Sequence, residues 1–322
     1  MAEAQLARNE GLIYKTLTVA ALTGDVEQLA SGRAGVMQKT TAGTVGELIA
    51  YKDSGIFNLP KSTGYALLDG GEAWWDRSAS VATFRKVNDR DFYLGRVVGD
   101  VSSSATTVSI DLNADPRWDI DVHRDAFLSV PTGTQAVGAF GYPKVLGGTH
   151  SIELTATNEA QCIDLFSVDR FDKTANAIVE VVLRFPDAGS GAAVDINVGV
   201  ANATHTTDAD SIAESVFFHL DGGALDLKAE SDDGTTEVAA TDTTVDVTQG
   251  SAVANRVHLW IDMRDPADVQ LYVDGVNVLP ATTFNVNAAT GPFGLLAHVE
   301  KTSGTTTARV ALDELRVRYQ EG

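Results

Sequence analysis

Apolar and polar side chains alternate along most of this chain in short runs that Gly, Asp, Asn or Pro repeatedly interrupts. Period-two alternation lets a strand bury one face and wet the other, and the interrupting residues are those that turn a backbone. In the first third, strands are expected over 35–38, 45–51, 55–59, 73–76, 92–98 and 107–112. Ahead of them stands Leu12-Ile13-Tyr14-Lys15-Thr16-Leu17-Thr18-Val19, which reads as a strand or an extended arm. Alternation sharpens from residue 151, as in Ser151-Ile152-Glu153-Leu154 and Asp195-Ile196-Asn197-Val198-Gly199-Val200. Further strands are expected over 177–185, 215–220, 225–230, 244–248, 256–263, 269–273, 294–299 and 308–319, with one helical turn near 208–213. The pattern is that of an all-β protein.

Between residues 113 and 148 the alternation weakens. Asp115-Pro116-Arg117-Trp118-Asp119 and Pro131-Thr132-Gly133 are loop-like, and Gly138, Gly141, Pro143, Gly147 and Gly148 follow closely. At 322 residues the chain has room for two cores. The expected division is an arm and first strand over 1–30, a small barrel-like β domain over 31–113, a linker over 114–147, and two face-to-face antiparallel sheets over 148–322.

Charge adds a second asymmetry. The net charge is −20; residues 1–144 hold 14 basic and 17 acidic side chains, and the remainder 10 and 27, or −3 against −17. So acidic a second half repels nucleic acid and anionic lipid. No apolar run approaches the ~20 residues that span a bilayer. Residues 1–10 carry Glu3, Arg8 and Glu10 without an apolar signal core, so synthesis in the cytoplasm is expected, with no membrane and no nucleic acid as partner. The single cysteine, Cys162, leaves no internal disulfide and no multi-cysteine zinc site.

Residues for catalysis are not arranged in a recognisable pattern. His123, His150, His205, His219, His258 and His298 show neither His-x-x-x-His spacing nor a pairing with Cys162, and His258 and His298 read as hydrogen-bonded sheet residues. The acidic residues Asp187, Asp221, Asp232, Asp233 and Asp274 fall at turns, and no strand carries Glu-x-Asp-x-x-Glu, so a glycosidase carboxylate pair is not expected. No enzyme is expected. Calcium is the one cofactor left open, from Asp208-Ala209-Asp210 and Asp232-Asp233-Gly234, although neither has the spacing of a full calcium loop.

The order of segments in the first third is more specific. Ala42-Gly43-Thr44-Val45-Gly46-Glu47 is followed by Gly55-Ile56-Phe57-Asn58-Leu59-Pro60-Lys61, Leu68-Asp69-Gly70-Gly71-Glu72-Ala73-Trp74-Trp75-Asp76, Tyr93-Leu94-Gly95-Arg96-Val97-Val98-Gly99-Asp100 and Val108-Ser109-Ile110-Asp111-Leu112. This order resembles the capsid decoration, or cement, proteins of tailed phages over roughly residues 10–113. The resemblance implies a structural protein on the outer surface of the virion capsid, often a homotrimer, that bridges subunits of the major capsid protein. Leu12, Ile13, Tyr14 and Leu17 would then belong to the contact arm. Successive residues on a strand face opposite ways, so one of Trp74 and Trp75 fills the core and the other lies outside, where it joins Phe57 and Tyr93 as an anchor for a partner.

Later segments carry a second resemblance. His258-Leu259-Trp260-Ile261-Asp262-Met263, Val269-Gln270-Leu271-Tyr272-Val273-Asp274-Gly275 and Ala311-Leu312-Asp313-Glu314-Leu315-Arg316-Val317 are similar to concanavalin-like and laminin-G-like jelly rolls. That fold hosts lectins, glycosidases and inert spacers, so it does not give function. The expected role is decoration of a phage head with the sandwich displayed outward. The alternative is a carbohydrate-binding, lectin-like surface protein, with a host-surface glycan as ligand.

Overall fold

In the computed structural model, which describes residues 12–133, 144–146, 149–191 and 193–319, the chain divides into two units, Met1–Arg117 and Trp118–Gly322. The first unit holds β1 (Leu12–Thr16), β2 (Val26–Gln28), β3 (Ala34–Met37), β4 (Leu48–Lys52), β5 (Ile56–Pro60), β6 (Glu72–Asp76), β7 (Val81–Thr83), β8 (Phe92–Val97) and β9 (Thr107–Leu112). They form two antiparallel sheets, in the orders β1-β4-β3-β2 and β5-β9-β8-β6-β7. The second sheet curls until Lys61, just past β5, bridges Ala82 of β7. One bridge is not a ladder, so the expected barrel stays open: the strands are too short, and Pro60 removes a donor where β5 would have to continue.

Trp75 shows how this unit is filled. It is 5% exposed and packs with Leu59, Leu67, Phe92, Leu94 and Ile110, while Trp74 on the other face of β6 is half-buried. Ala34 and Val36 of β3 join the same cluster, which ties the two sheets together. Asn113 adds a polar tie: its Nδ2 donates to the carbonyls of Ala34 and Asp53 (both 2.9 Å), and its Oδ1 accepts from Ala34 N at 2.8 Å. Its φ is 58°, a left-handed conformation that asparagine tolerates and alanine does not. Asn113→Ala is expected to cost about 2–3 kcal/mol, and Asn113→Gly somewhat less because only the hydrogen bonds are lost; urea midpoints compare them.

The second unit holds β10 (Ile120–Asp121), β11 (Ala126–Thr132), β12 (Lys144–Leu146), β13 (Thr149–Glu153), β14 (Gln161–Ser167), β15 (Ala177–Asp187), β16 (Val194–Ala201), β17 (Glu214–Asp221), β18 (Asp226–Asp233), β19 (Glu237–Asp246), β20 (Val257–Asp262), β21 (Gln270–Val273), β22 (Val276–Val278), β23 (Gly294–Lys301) and β24 (Arg309–Tyr319). One sheet runs β12-β13-β24-β15-β20-β21-β22 with β10 also on β24, the other β11-β14-β23-β16-β17-β18-β19. Their inner faces meet in one core, with Val179, Val181 and Leu183 on the first and Ile196, Val198, Phe218, Ala297 and Val299 on the second. This is a jelly-roll β-sandwich.

The segment expected as a linker contributes to this sandwich. Ile120 pairs with Val317, β11 pairs with β14, and Ile120 and Val122 are core residues. Polar neighbours hide the strand: Asp119 Oδ2 accepts Tyr319 N at 2.8 Å, and Trp118 lies outside against Arg316, 3.8 Å from ring centre to guanidinium carbon. Gly138, Gly141, Pro143, Gly147 and Gly148 lie outside the described residues.

The Asp274-Gly275 turn takes the expected left-handed pair of conformations, φ 48° and 78°, and closes β21 onto β22. A helical turn is present at Ala209–Ser211, capped by Asp208. The outer face of the first sheet buries Glu180 at 6% exposure between Arg318 and Arg316, the latter 3.4 Å away. Burial pushes this carboxyl up, but the two guanidiniums pull it further down, to a net value below the ordinary one. At the far edge of the other sheet, β19 is half exposed and carries Glu237, Asp242 and Asp246. Asp226 stands directly opposite Asp246.

Candidate functional site

The sheet containing β14, β23, β16, β17 and β18 has a second face, turned away from the core. Strand register places polar side chains there in rows. One row runs Asp164, His298, Asn197, His219, Lys228, and the next Cys162, Glu300, Asp195, Asp221, each residue paired directly with its neighbour. Glu230 joins them from β18.

The chain between β16 and β17 folds over this face. Its Ala209 and Ile212 pack with Phe166, Phe217 and Leu296. The thiol of Cys162 donates to His205 O at 3.5 Å, and Asp210 accepts from Asn197 Nδ2 at 3.0 Å. Asp164, Asn197, His219, His298 and Glu300 are therefore buried although they lie on the outer side of the sheet.

Two histidines organise the charge. His298 has Nδ1 2.6 Å from Asp164 Oδ1 and Nε2 3.0 Å from Glu300 Oε2. Burial alone would lower its pKa, but Asp164, Cys162 and Glu300 outweigh burial and raise it well above the ordinary value. His219 is held similarly: Nε2 is 2.8 Å from Asp221 and 3.4 Å from Asp195, and Nδ1 is 3.3 Å from Asp210 and 3.5 Å from Glu230. Its pKa is raised too, against burial. Burial pushes Glu230 and Glu300 up, while Lys228 and His219 overcome burial and hold Asp221 down at about 2.

Cys162 lies 3.8 Å from both ring nitrogens of His298, so the expectation that no histidine pairs with the cysteine is corrected. The pairing spans 136 residues and is made by strand register, which spacing does not display. Acidic residues likewise are not confined to turns: Asp164, Asp195, Glu230 and Glu300 stand within strands.

Among the described residues, three groups have ligand atoms close enough to share a metal ion: Cys162, His298 and Glu300; Asp195, His219 and Asp221; Asp210, His219 and Glu230. Each depends on a histidine whose nitrogens both face carboxylates, and a protonated ring has no lone pair to offer. The imidazoliums and the Lys228 ammonium, which pairs with Asp221, occupy the cation's role. The turns considered for calcium are engaged as well. Asp208 caps Asp210 N, Asp232 accepts Gly234 N, and Asp233 accepts Thr235 N and Thr236 N.

The residues expected at a protein interface fall in three places. Leu17 and Trp75 are core residues, and Ile13 packs against the cluster of Leu17, Ile49 and Tyr51. Trp74 and Tyr93 are both half-buried and meet edge-on at 5.6 Å, with Tyr93 OH donating to Ala114 O; Phe57 is half-buried on β5. Leu12 and Tyr14 share the outward face of β1, where their partners on β4 are Lys52 and Ala50, and Leu48 pairs with Thr16 beside them. Tyr14 is 61% exposed and Leu48 63%. Sequence reading missed Leu48, whose signal is the alternation Leu48, Ala50 on the face opposite Ile49, Tyr51.

No family model matches this chain, and no curated protein sequence does. Solved structures resemble it distantly. A gut-microbial protein from work on endo-acting O-glycanases that initiate mucin breakdown is 12% identical, covering 60% of this chain and 92% of that one, with a TM-score of 0.43. The legume lectin-like domain from Entamoeba histolytica is 10% identical over 62% and 92%, TM-score 0.43. LamAcat from Zobellia galactanivorans is 15% identical over 55% and 79%, TM-score 0.38. At these values the likeness transfers no function.

Proposed function

We propose that this chain is a decoration protein of a tailed-phage head, whose first unit docks on the major capsid protein as a homotrimer and whose acidic sandwich faces solvent. The observation that carries this reading is the outward face of β1 and β4. Seven of the eleven large apolar side chains exposed among the described residues belong to the first unit, and Tyr14 and Leu48 stand together on that face. An apolar group of that kind, on a strand that ends its sheet among the described residues, suits addition to a neighbour's sheet, where backbone hydrogen bonds and a few side chains supply affinity. The near-neutral charge of this half removes repulsion from the approach, and the order of segments resembling cement proteins points the same way.

Heads from the virus that encodes the chain, stripped of it and incubated with purified protein, provide the test. Tyr14→Asp combined with Leu48→Asp is expected to lower bound copies per head at least tenfold while the urea midpoint stays unchanged. Full occupancy by the double variant would overturn the docking face.

A second reading, carbohydrate binding by the sandwich, is favoured by one observation: where the β16–β17 segment leaves the outer sheet face open, half-buried Asp195, Asp221 and Arg170 remain, with exposed Phe127 at its border, side-chain types that hydrogen-bond and stack on sugars. It predicts signals on a glycan array, whereas decoration alone predicts none; hydrolysis of an arrayed glycan would count against both.

A further inference from the structure

Among the basic groups on the outer face of the β11-to-β19 sheet, Arg170 is the one to which the described residues give neither a carboxylate nor a hydrogen-bond acceptor. It follows β14, and the backbone pairing of Phe171 with Phe293 sets it across from Gly294. Its guanidinium lies 3.6 Å over the ring of Phe166. A Cβ at position 294 would come within 2.4 Å of Nη1, so the absence of a side chain there makes the space the guanidinium occupies. Phe166 meets Phe127 edge-on at 6.1 Å, and Phe127 is 45% exposed. The guanidinium is thus fixed by its face on an aromatic ring, with Nη1 buried and donating to nothing.

In a chain with 44 acidic and 24 basic residues, an arginine without a carboxylate is not explained by a shortage of acids. Burial alone shifts its pKa, and lowers it. Nη1 is enclosed and beyond a ligand's reach, but the residue is only half-buried, and its Nε–Nη2 edge, which makes no hydrogen bond within the described residues, is left for an outside partner. The planar fork of arginine matches a planar carboxylate in two parallel hydrogen bonds, and an exposed aromatic ring beside it suits the C–H face of a pyranose.

We propose that Arg170, Phe166 and Phe127 form a subsite for an acidic sugar of the hexuronic acid class, with the carboxylate on the guanidinium and the ring on Phe127. This rests on the carbohydrate-binding reading of the sandwich and names its sugar. The test uses the full chain at ~0.15 M salt, where charges more than about 8 Å apart are largely screened, so that the acidity of the rest of the sandwich does not mask the contact. Trigalacturonate, neutral galactotriose and acetate are titrated calorimetrically against wild type, Arg170→Lys, Arg170→Met and Phe127→Ala.

Trigalacturonate is expected to bind wild type at least tenfold more tightly than galactotriose. Arg170→Lys loses about tenfold, Arg170→Met loses all preference for the acid, and Phe127→Ala weakens the trimer without altering that preference. Equal binding of trigalacturonate by wild type and Arg170→Met overturns the proposal, as does acetate binding as tightly as the trimer. If galactotriose binds and trigalacturonate does not, the subsite falls and the carbohydrate-binding reading stands. If neither trimer binds and an array of neutral and acidic glycans is blank, both fall.

Discussion

His298→Leu is expected to destabilise the sandwich by about 3–5 kcal/mol, read as a lower urea midpoint at pH 6. The side chain is fully buried between Asp164 and Glu300, 2.6 and 3.0 Å away, so leucine leaves two carboxylates in a dry site without their cation. The effect has a pH signature with a fixed sign. Because the folded-state pKa of His298 lies well above that of the unfolded chain, its contribution is complete below about pH 6.5 and fades as the pH rises through the folded value. The gap between wild type and variant should therefore be wide at pH 6 and narrower in strongly alkaline buffer. A gap that widens with pH would mean that the ring is held neutral, and the assignment of charge on this face would be reversed.

Glu180 is expected to matter as much on the other sheet. Glu180→Gln keeps the volume but withdraws the charge that Arg318 and Arg316 share, and leaves Arg318, 4% exposed, without its carboxylate. About 3–5 kcal/mol should be lost. Combining Glu180→Leu with Arg318→Met should cost less than Glu180→Gln alone, because both buried charges go together while Arg316 keeps Glu314 at 2.7 Å. A midpoint shift under 1 kcal/mol for Glu180→Gln would show that solvent reaches the pair. The carboxyl is held below its ordinary value, so this contribution is present above the unfolded pKa and is lost as the pH falls through the folded one.

What the chain announces in advance depends on whether a strand keeps one wet face. β9 spans Thr107–Leu112 as its alternation implies, and the Asp274-Gly275 turn and the opposite facing of Trp74 and Trp75 also follow from local pattern, although which of the two fills the core does not. β14 is not legible in this way: the core covers one face and the loop from β16 covers the other, so all seven residues are buried and the alternation disappears. β19 is hidden for another reason: only Val238, Thr243 and Val245 turn toward the core, so this edge strand reads as a polar loop until its last residues. The histidine and carboxylate rows are the hardest to foresee. Their members are contributed two or so at a time by five strands, and Asp-x-Asn or His-x-Asp is what any half-polar strand displays; only register makes a row of them.

Two edge strands, β1 and β19, differ in what they admit. β1 offers an edge with a single charge, Lys15, whereas β19 ends its sheet with carboxylates that already crowd one another at Asp226 and Asp246. A strand arriving at the first can pair; one arriving at the second meets repulsion along its length. Recruitment at β1 thus has no matching outlet at β19: a copy added through the first cannot hand a strand on through the second.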